Sequence, residues 1–419
     1  MTLSTPPLSL YVHFPWCVRK CPYCDFNSYT LRGELEELRY VEALERDLEA
    51  QAAEVRGREV VSIFLGGGTP SLFSPGAIGR LIDCARRHLV LAADVEVTME
   101  ANPGALERGR FGEYRAAGVT RVSLGAQSFD AARLVALGRI HSPDETRRAA
   151  EELHATGLDN FNLDLMYALP GQDVQAAVRD LEEALALRPA HLSHYQLTIE
   201  HGTVFEAQRP ALPDDDAAAE MLTECTRRLF DGGFGHYEVS AYSRPGRQCR
   251  HNLNYWTFGD YLGVGAGAHG KLTTLAGTIV RTQQQREPRR YLASTPATVS
   301  RSEVAPEELP FEFMLNALRL VNGFETALFP ERTGLYWDAI GPAVDDLVSR
   351  DLLVHEGSRL KPTPQGLRFL NELLLSFVPD QRRQSPKMSG AFGLSTPSSG
   401  AERPLTEALF TGRGSHIGE

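Results

Sequence analysis

Short runs of β-branched and other apolar residues alternate, over the first 200 positions, with longer stretches whose apolar residues recur at helical spacing. The runs are Leu8–Phe14, Val60–Leu65, Val95–Glu100, Val119–Leu124, Phe161–Tyr167 and His191–Ile199. Between them lie Leu35–Val55, Pro75–Leu89, Leu106–Ala116, Pro143–Thr156 and Val174–Leu187. Ser74-Pro75 and Ser142-Pro143 each offer an N-cap followed by proline at the first helical position. Strand and helix in alternation predict a parallel sheet with crossover helices. Six such units fall short of a closed eightfold barrel. The expected fold is α/β, an open, partial (β/α)6 barrel.

Further on, Asp214–Phe230 predicts a helix and His236–Ala241 a strand. From Arg244 to about Pro306 the pattern loosens and becomes rich in glycine. Phe311–Arg319, Trp337–Arg350 and Pro364–Phe377 then predict helices, with a hairpin over Leu352–Leu360, a combination that resembles a winged-helix module. The expected division is a barrel over 1–241, a connecting region over 242–306, a small winged-helix-like domain over 307–378 and a tail over 379–419. The tail is rich in Ser, Gly and Pro and is expected to be disordered.

Composition narrows the function classes. Apolar residues make up 42% and charged residues 23%, which is globular. With 54 acidic against 43 basic residues the net charge is −11, which argues against a nucleic-acid partner. No run approaches the roughly 20 apolar residues of a membrane span, and residues 1–10 carry no basic segment with a long apolar stretch. A reducing cytoplasm is the expected location. Three of the six cysteines crowd into one loop after the first strand, which favours metal binding or catalysis over disulfides. Cys84 and Cys225 fall in helical patterns and are expected to be buried apolar residues.

The loop runs from Pro15 to Phe26 and spaces Cys17, Cys21 and Cys24 as C-x3-C-x2-C. Three thiolates on one loop can hold three corners of a cubic iron–sulfur cluster and leave one iron open. A zinc site completed by Asp25 or His13, or three unpaired thiols, are the alternatives. Gly66-Gly67-Gly68-Thr69-Pro70 follows the second strand, where glycine lets a ligand approach the backbone closely. Glu100, Gln127 and Asp164 lie at or near later strand ends, and Arg139 follows the fourth strand. Polar residues at the C-terminal edges of barrel strands face the usual active-site side.

The pattern Y-x-H-x-P-W-C-x3-C-x2-C resembles the signature of the radical S-adenosylmethionine (SAM) family, and the resemblance runs over about residues 8–378. It implies a [4Fe-4S] cluster on Cys17, Cys21 and Cys24, with the open iron chelated by the amino and carboxylate groups of SAM. One-electron cleavage of the sulfonium would then release a 5′-deoxyadenosyl radical. The resemblance further implies that Gly67, Gly68 and Thr69 meet the SAM amino group and that Glu100 meets the ribose hydroxyls. Gln127, Arg139, Asp164 and Tyr11 would be additional contacts, with Tyr23 an aromatic beside the cluster.

Within that family the chain resembles the branch holding oxygen-independent coproporphyrinogen III oxidases and heme chaperones. The oxidases resemble C-x3-C-x2-C-x-C, with a longer segment before the first strand. Here Phe26 stands at the fourth cysteine's position, and ten residues precede Tyr11. His251-Asn252-Leu253-Asn254-Tyr255-Trp256 matches the H-N-x-x-Y-W motif of the chaperones. The match implies heme binding through His251, Asn252, Tyr255 and Trp256, with Cys249 as a second candidate axial ligand. An imidazole can ligate heme iron, and the aromatic rings can flank the porphyrin. The implied function is a heme chaperone that passes heme to recipient hemoproteins, respiratory cytochromes at the membrane among them, with any membrane contact peripheral. Oxidative decarboxylation of coproporphyrinogen III is the alternative. Residues 265–270 also satisfy G-x-G-x-x-G, but strand-like Lys271–Thr274 and Thr278–Thr282 follow where a dinucleotide site needs a helix. The expectation is a close-packed loop lining the cavity.

Overall fold

A computed structural model describes residues 4–104, 107–294 and 298–379. Its first half is built on strands whose residues alternate between two environments. In β1 (Leu8–Phe14), Leu8, Leu10, Val12 and Phe14 join the apolar core, while Ser9, Tyr11 and His13 face the other way. The same alternation recurs in β2 (Glu59–Gly67), β3 (Val90–Ala101), β4 (Arg121–Gln127), β5 (Phe161–Tyr167) and β6 (His191–Gln196). Period two thus gives the sheet an apolar outer face and a polar inner wall. Helices α1 (Glu37–Ala52), α2 (Pro75–His88), α3 (Phe111–Ala116), α4 (Ala131–Ala136), α5 (Pro143–Ala155) and α6 (Val174–Ala186) lie between these strands in the chain. Ser74 caps α2, and Ser142 with Glu145 forms a capping box on α5, both followed by proline as the sequence predicts.

Six more strands extend the sheet: β7 (Gly235–Glu238), β8 (Ala241–Ser243), β9 (Asp260–Val264), β10 (His269–Thr273), β11 (Ile279–Gln284) and β12 (Thr298–Glu303). The order is β12-β11-β10-β9-β1-β2-β3-β4-β5-β6-β8-β7, and β9 with β1 to β6 run parallel. The edges β12 and β7 do not pair among the described residues, so the barrel is open, as expected.

Several elements differ from the sequence expectation. The strand expected over His236–Ala241 is a tight antiparallel pair, β7 and β8, with β8 also pairing with β6. The stretch 244–306 supplies four strands and the helices Arg250–Trp256 and Pro288–Ala293. Every residue of β9 is buried, so no polar alternation betrays it. The helix expected over Leu106–Ala116 begins at Phe111. Pro364–Phe377 breaks at Phe369 into three short turns of helix.

A second apolar core, around Phe313, Phe329, Leu347 and Leu360, organises residues 309–378. Its helices flank a three-stranded sheet of Phe324–Glu325, Arg359–Pro362 and Leu353–Glu356. The tail expectation falls on residues 380–419, outside the described residues.

Candidate functional site

The cysteine loop leaves β1 at Phe14 and is closed at its base. Trp16–Cys17 pairs in parallel with Tyr29–Thr30, and the Leu31 N–H donates to the Cys17 carbonyl at 2.8 Å. Trp16 packs edge-on against Tyr40 of α1 with ring centroids 4.7 Å apart, which anchors the loop to the core. Cys17, Cys21 and Cys24, each half-buried, face one cavity of about 460 Å³ at the C-terminal ends of the strands. Burial pushes the Cys17 thiol up to about 11 despite a hydrogen bond with Thr69, and it raises Cys24 as well.

The glycine turn forms the second wall. A Cβ on Gly67, whose φ is +107°, would sit 2.3 Å from the His13 ring, and one on Gly68 would sit 2.6 Å from the Phe14 carbonyl. His13 is held in place by Tyr11, whose hydroxyl lies 2.7 Å from Nδ1, while Nε2 lies 3.0 Å from the Asn27 carbonyl. Tyr11 therefore buttresses the turn from beneath and is not part of the cavity lining.

Glu100 and Asp164 supply the acidic side of the cavity. Glu100 Oε2 accepts from the Gly67 N–H at 2.8 Å. Burial, reinforced by Asp164 and opposed by that hydrogen bond, raises Glu100 to about 8. Asp164 accepts from Ser123 at 3.0 Å and from Asn162 at 2.7 Å, and burial raises it too. Gln127 ends β4 at a φ of +64°, a conformation costing a side-chain-bearing residue about 1–3 kcal/mol. Its Oε1 accepts from the Tyr195 hydroxyl at 2.7 Å.

Arg139 completes the ring. Its buried guanidinium donates to Asn102 Oδ1, to the Gly125 carbonyl at 2.9 Å and toward Cys21 Sγ at 3.7 Å. Asn102 in turn donates to Thr69 Oγ1 at 3.1 Å. Asn102 was absent from the sequence expectation, although it lies two positions after Glu100, on the same face of the chain's path. Tyr23 lines the same cavity and packs toward Phe205, 6.3 Å away.

The donor set fits a cluster with a nucleoside-type ligand beside it. Three thiols share one mouth, a fixed cation faces one of them, and the glycine turn that lines the cavity packs this closely on His13 and the Phe14 carbonyl only while it lacks Cβ atoms. A cavity of this size is ordinary for a small-molecule ligand.

The titration of Glu100 has a measurable consequence. Between its ordinary 4.5 and about 8, the unfolded chain has released this proton and the folded chain keeps it. Without ligands, stability should therefore fall as pH rises through that window, by up to about 1.4 kcal/mol per pH unit from this group. Urea unfolding at several pH values should show this slope, and Glu100→Gln should flatten it. An unchanged slope in the variant would contradict the assignment.

The H-N-L-N-Y-W segment lies elsewhere, on the barrel floor. It forms the helix Arg250–Trp256, with His251, Tyr255 and Trp256 buried and Asn252 half-buried. His251 stacks on Phe64 with centroids 4.2 Å apart. Tyr255 meets Tyr261 edge-on, Trp256 lies under the Arg319 guanidinium, and Asn252 Nδ2 is 3.4 Å from the Tyr237 hydroxyl. The cavity beside them measures about 40 Å³. That is room for water, not for a porphyrin.

One expectation is corrected. The 265–270 loop does not line the large cavity. It packs behind β1, where the Ala266 carbonyl accepts from Asn27 Nδ2 at 2.9 Å and the Ala266 N–H donates to the Tyr40 hydroxyl at 3.0 Å. Its glycines serve that packing. Cys84 and Cys225 are buried in helices, as expected.

Comparison with known proteins adds a separate line of observation. Residues 11–184 match the radical SAM superfamily, and residues 304–369 match the HemN C-terminal domain. The heme chaperone HemW of Escherichia coli K12 is 48% identical over 376 residues, covering 90% of this chain and 99% of that protein. The heme chaperone HemW of Mycobacterium tuberculosis H37Rv is 38% identical, covering 86% and 92%. The fold of the E. coli coproporphyrinogen III oxidase HemN, a radical SAM enzyme, superimposes with a TM-score of 0.75 at 22% identity, covering 89% of this chain and 90% of that one.

Proposed function

We propose that this chain, which belongs to the radical SAM superfamily and within it to the HemW family of heme chaperones, binds heme and passes it to recipient hemoproteins. The observation that carries the reading is identity of 36–48% along nearly the whole chain to proteins of that name in several bacteria, Mycobacterium tuberculosis among them. The likeness to coproporphyrinogen III oxidase is one of fold, at 22% identity. Phe26 at the cavity wall, where the oxidases resemble a fourth cysteine, favours the chaperone over the decarboxylase.

Membership of the superfamily implies a [4Fe-4S] cluster and SAM. Cys17, Cys21 and Cys24 would hold the cluster. Gly67, Gly68, Thr69, Glu100, Gln127, Arg139 and Asp164 would hold SAM, with Tyr11 fixing the turn from below and Tyr23 covering one side. When bound, the pair supplies one-electron reduction of a sulfonium. The protein's share is positioning and charge. Arg139 offsets the thiolates' negative charge, and the two carboxylates present acceptors to hydroxyl groups.

Heme would be taken by the H-N-L-N-Y-W segment, through His251 or Cys249 with Asn252, Tyr255 and Trp256 beside it. The floor cavity is too small for heme, so this contact requires the 250–256 helix to lift away from the barrel. No described helix is long and apolar enough to cross a membrane. A cytoplasmic chaperone meeting membrane hemoproteins peripherally accords with that.

Heme titration of anaerobically reconstituted protein should give saturable growth of the Soret band. His251→Ala should weaken the half-saturation concentration by about tenfold or more, as expected for loss of an iron ligand worth at least about 1.4 kcal/mol. Absence of saturable binding by the wild type would sink the chaperone reading.

A further inference from the structure

Below the large cavity three unlike donors converge on one point. A carboxylate oxygen of Glu96, Sγ of Cys249 and a ring nitrogen of His251 all lie within 4.8 Å of one another. Cys249 Sγ is 2.8 Å from His251 Nδ1 and 3.5 Å from Glu96 Oε1, and His251 Nδ1 is 3.5 Å from the same oxygen. All three side chains are more than nine-tenths buried. None takes part in the cluster and SAM assignments above.

The arrangement is held from several sides. Glu96 points inward because it shares a strand face with Thr98 and Glu100. The Arg250 N–H donates to its Oε1 at 2.9 Å. Phe64 stacks flat on His251 and restricts the ring. His251 Nδ1, Cys249 Sγ and the Arg250 N–H all approach the same oxygen, Glu96 Oε1. Arg121 is the cation facing the group. Its Nη1 is engaged by Asn160 Oδ1 at 2.9 Å and by the Arg247 carbonyl at 3.4 Å.

Thiolate, imidazole and carboxylate are the donor types that zinc takes. A set containing sulfur and nitrogen selects a borderline-soft divalent ion over magnesium or calcium. With Cys249 and Glu96 anionic, a divalent ion brings the three ligands to neutrality. The fourth corner opens on the 40 Å³ cavity between Phe64, Asp164, Asn252 and Trp256, which has volume for water. We propose that Glu96, Cys249 and His251 form a binding site for a divalent ion of the zinc class on the barrel floor, completed by one water. Binding forms a metal–sulfur bond and releases the Cys249 thiol proton to solvent.

The ion would tie the 250–256 helix to β3. It would therefore compete with any ligand that needs His251 outside the barrel. Only this competition rests on the heme reading; the metal site does not.

The test uses the full chain carrying Cys17→Ala, Cys21→Ala and Cys24→Ala, so that the loop thiols contribute no signal. Cobalt(II) added anaerobically should bind at one equivalent, with a thiolate-to-cobalt charge-transfer band that zinc abolishes. Adding Cys249→Ser should remove the band, and adding Glu96→Gln should weaken cobalt binding by about tenfold or more. Absence of the band, or its persistence with Cys249→Ser, would overturn the site. Unaltered wild-type holoprotein provides a measure that no substitution can disturb: one equivalent of zinc should survive gel filtration beside the cluster iron, and its absence after zinc exposure would also overturn the site. Zinc-loaded wild type should then need a higher heme concentration for half-saturation. If heme fails to bind at all while the cobalt band is present, the chaperone reading falls and the metal site stands.

Discussion

Cys21→Ala should abolish cluster retention. After anaerobic reconstitution and desalting, the variant is expected to keep less than about a tenth of the wild-type iron and to lose the sulfur-to-iron absorption. The loop supplies three thiols to one cavity. Removing one leaves two thiolate corners and exposes a second iron to solvent and chelators. Because the three cysteines are half-buried at the cavity mouth, the apolar core loses no contact, and the far-ultraviolet circular dichroism should be unchanged. Cys84→Ala is the matched control. That thiol is buried in α2, remote from the loop, and its removal should leave the iron content intact. Full iron retention by Cys21→Ala would contradict the assignment of the loop.

Asp260→Ala should cost more stability than any change to a surface charge. Asp260, at the start of β9, is fully buried. It lies 2.9 Å from Lys271 Nζ and 2.8 Å from Arg58 Nη2, and it accepts from the Thr273 N–H at 2.8 Å and the Thr273 hydroxyl at 3.0 Å. Burial alone would raise its pKa, but these partners hold it below the usual carboxylate value. Without it, the Lys271 ammonium would be buried with only the Phe258 and Gly259 carbonyls and the Phe258 ring for partners. Breaking such a group typically costs about 3–5 kcal/mol. Arg301→Ala, which removes an exposed pair with Glu54, should change stability by less than about 1 kcal/mol. Urea unfolding of the two variants beside wild type decides the matter. Equal midpoints would show that the buried triad contributes little.

What the sequence revealed follows from how local each signal is. Leu8–Phe14 and Phe161–Tyr167 were legible to the residue, because alternation and β-branching act within a few positions. α2 and α5 announced their starts through Ser-Pro caps. β9 was hidden because burial on both faces erases alternation, and the helix Arg250–Trp256 because seven residues hold too few turns for a period. The cysteine loop and glycine turn were visible because their chemistry is contiguous. Glu100, Gln127, Arg139 and Asp164 were visible as polar residues at or beyond strand ends, and the fold brings them into one cavity with the cysteines. The place of the H-N-L-N-Y-W segment was not legible, since its burial depends on strands far away in sequence. Glu96 was legible in principle: it lies four positions before Glu100, and an even spacing on a strand puts both on one face.

The parallel pairing of β9 with β1 also bears on the order of events during synthesis. Residues 8–12 find their second neighbour only in residues 260–264. At the usual pace of about 5–20 residues per second, that partner leaves the ribosome roughly 10–50 s after β1 does. Until then, the strand that leads into the cysteine loop has one open hydrogen-bonding edge, and the Tyr40 hydroxyl lacks the Ala266 N–H that joins α1 to the segment after β9. The lower rim of the cysteine loop is thus among the last parts of the barrel to close, although its residues are among the first to be made.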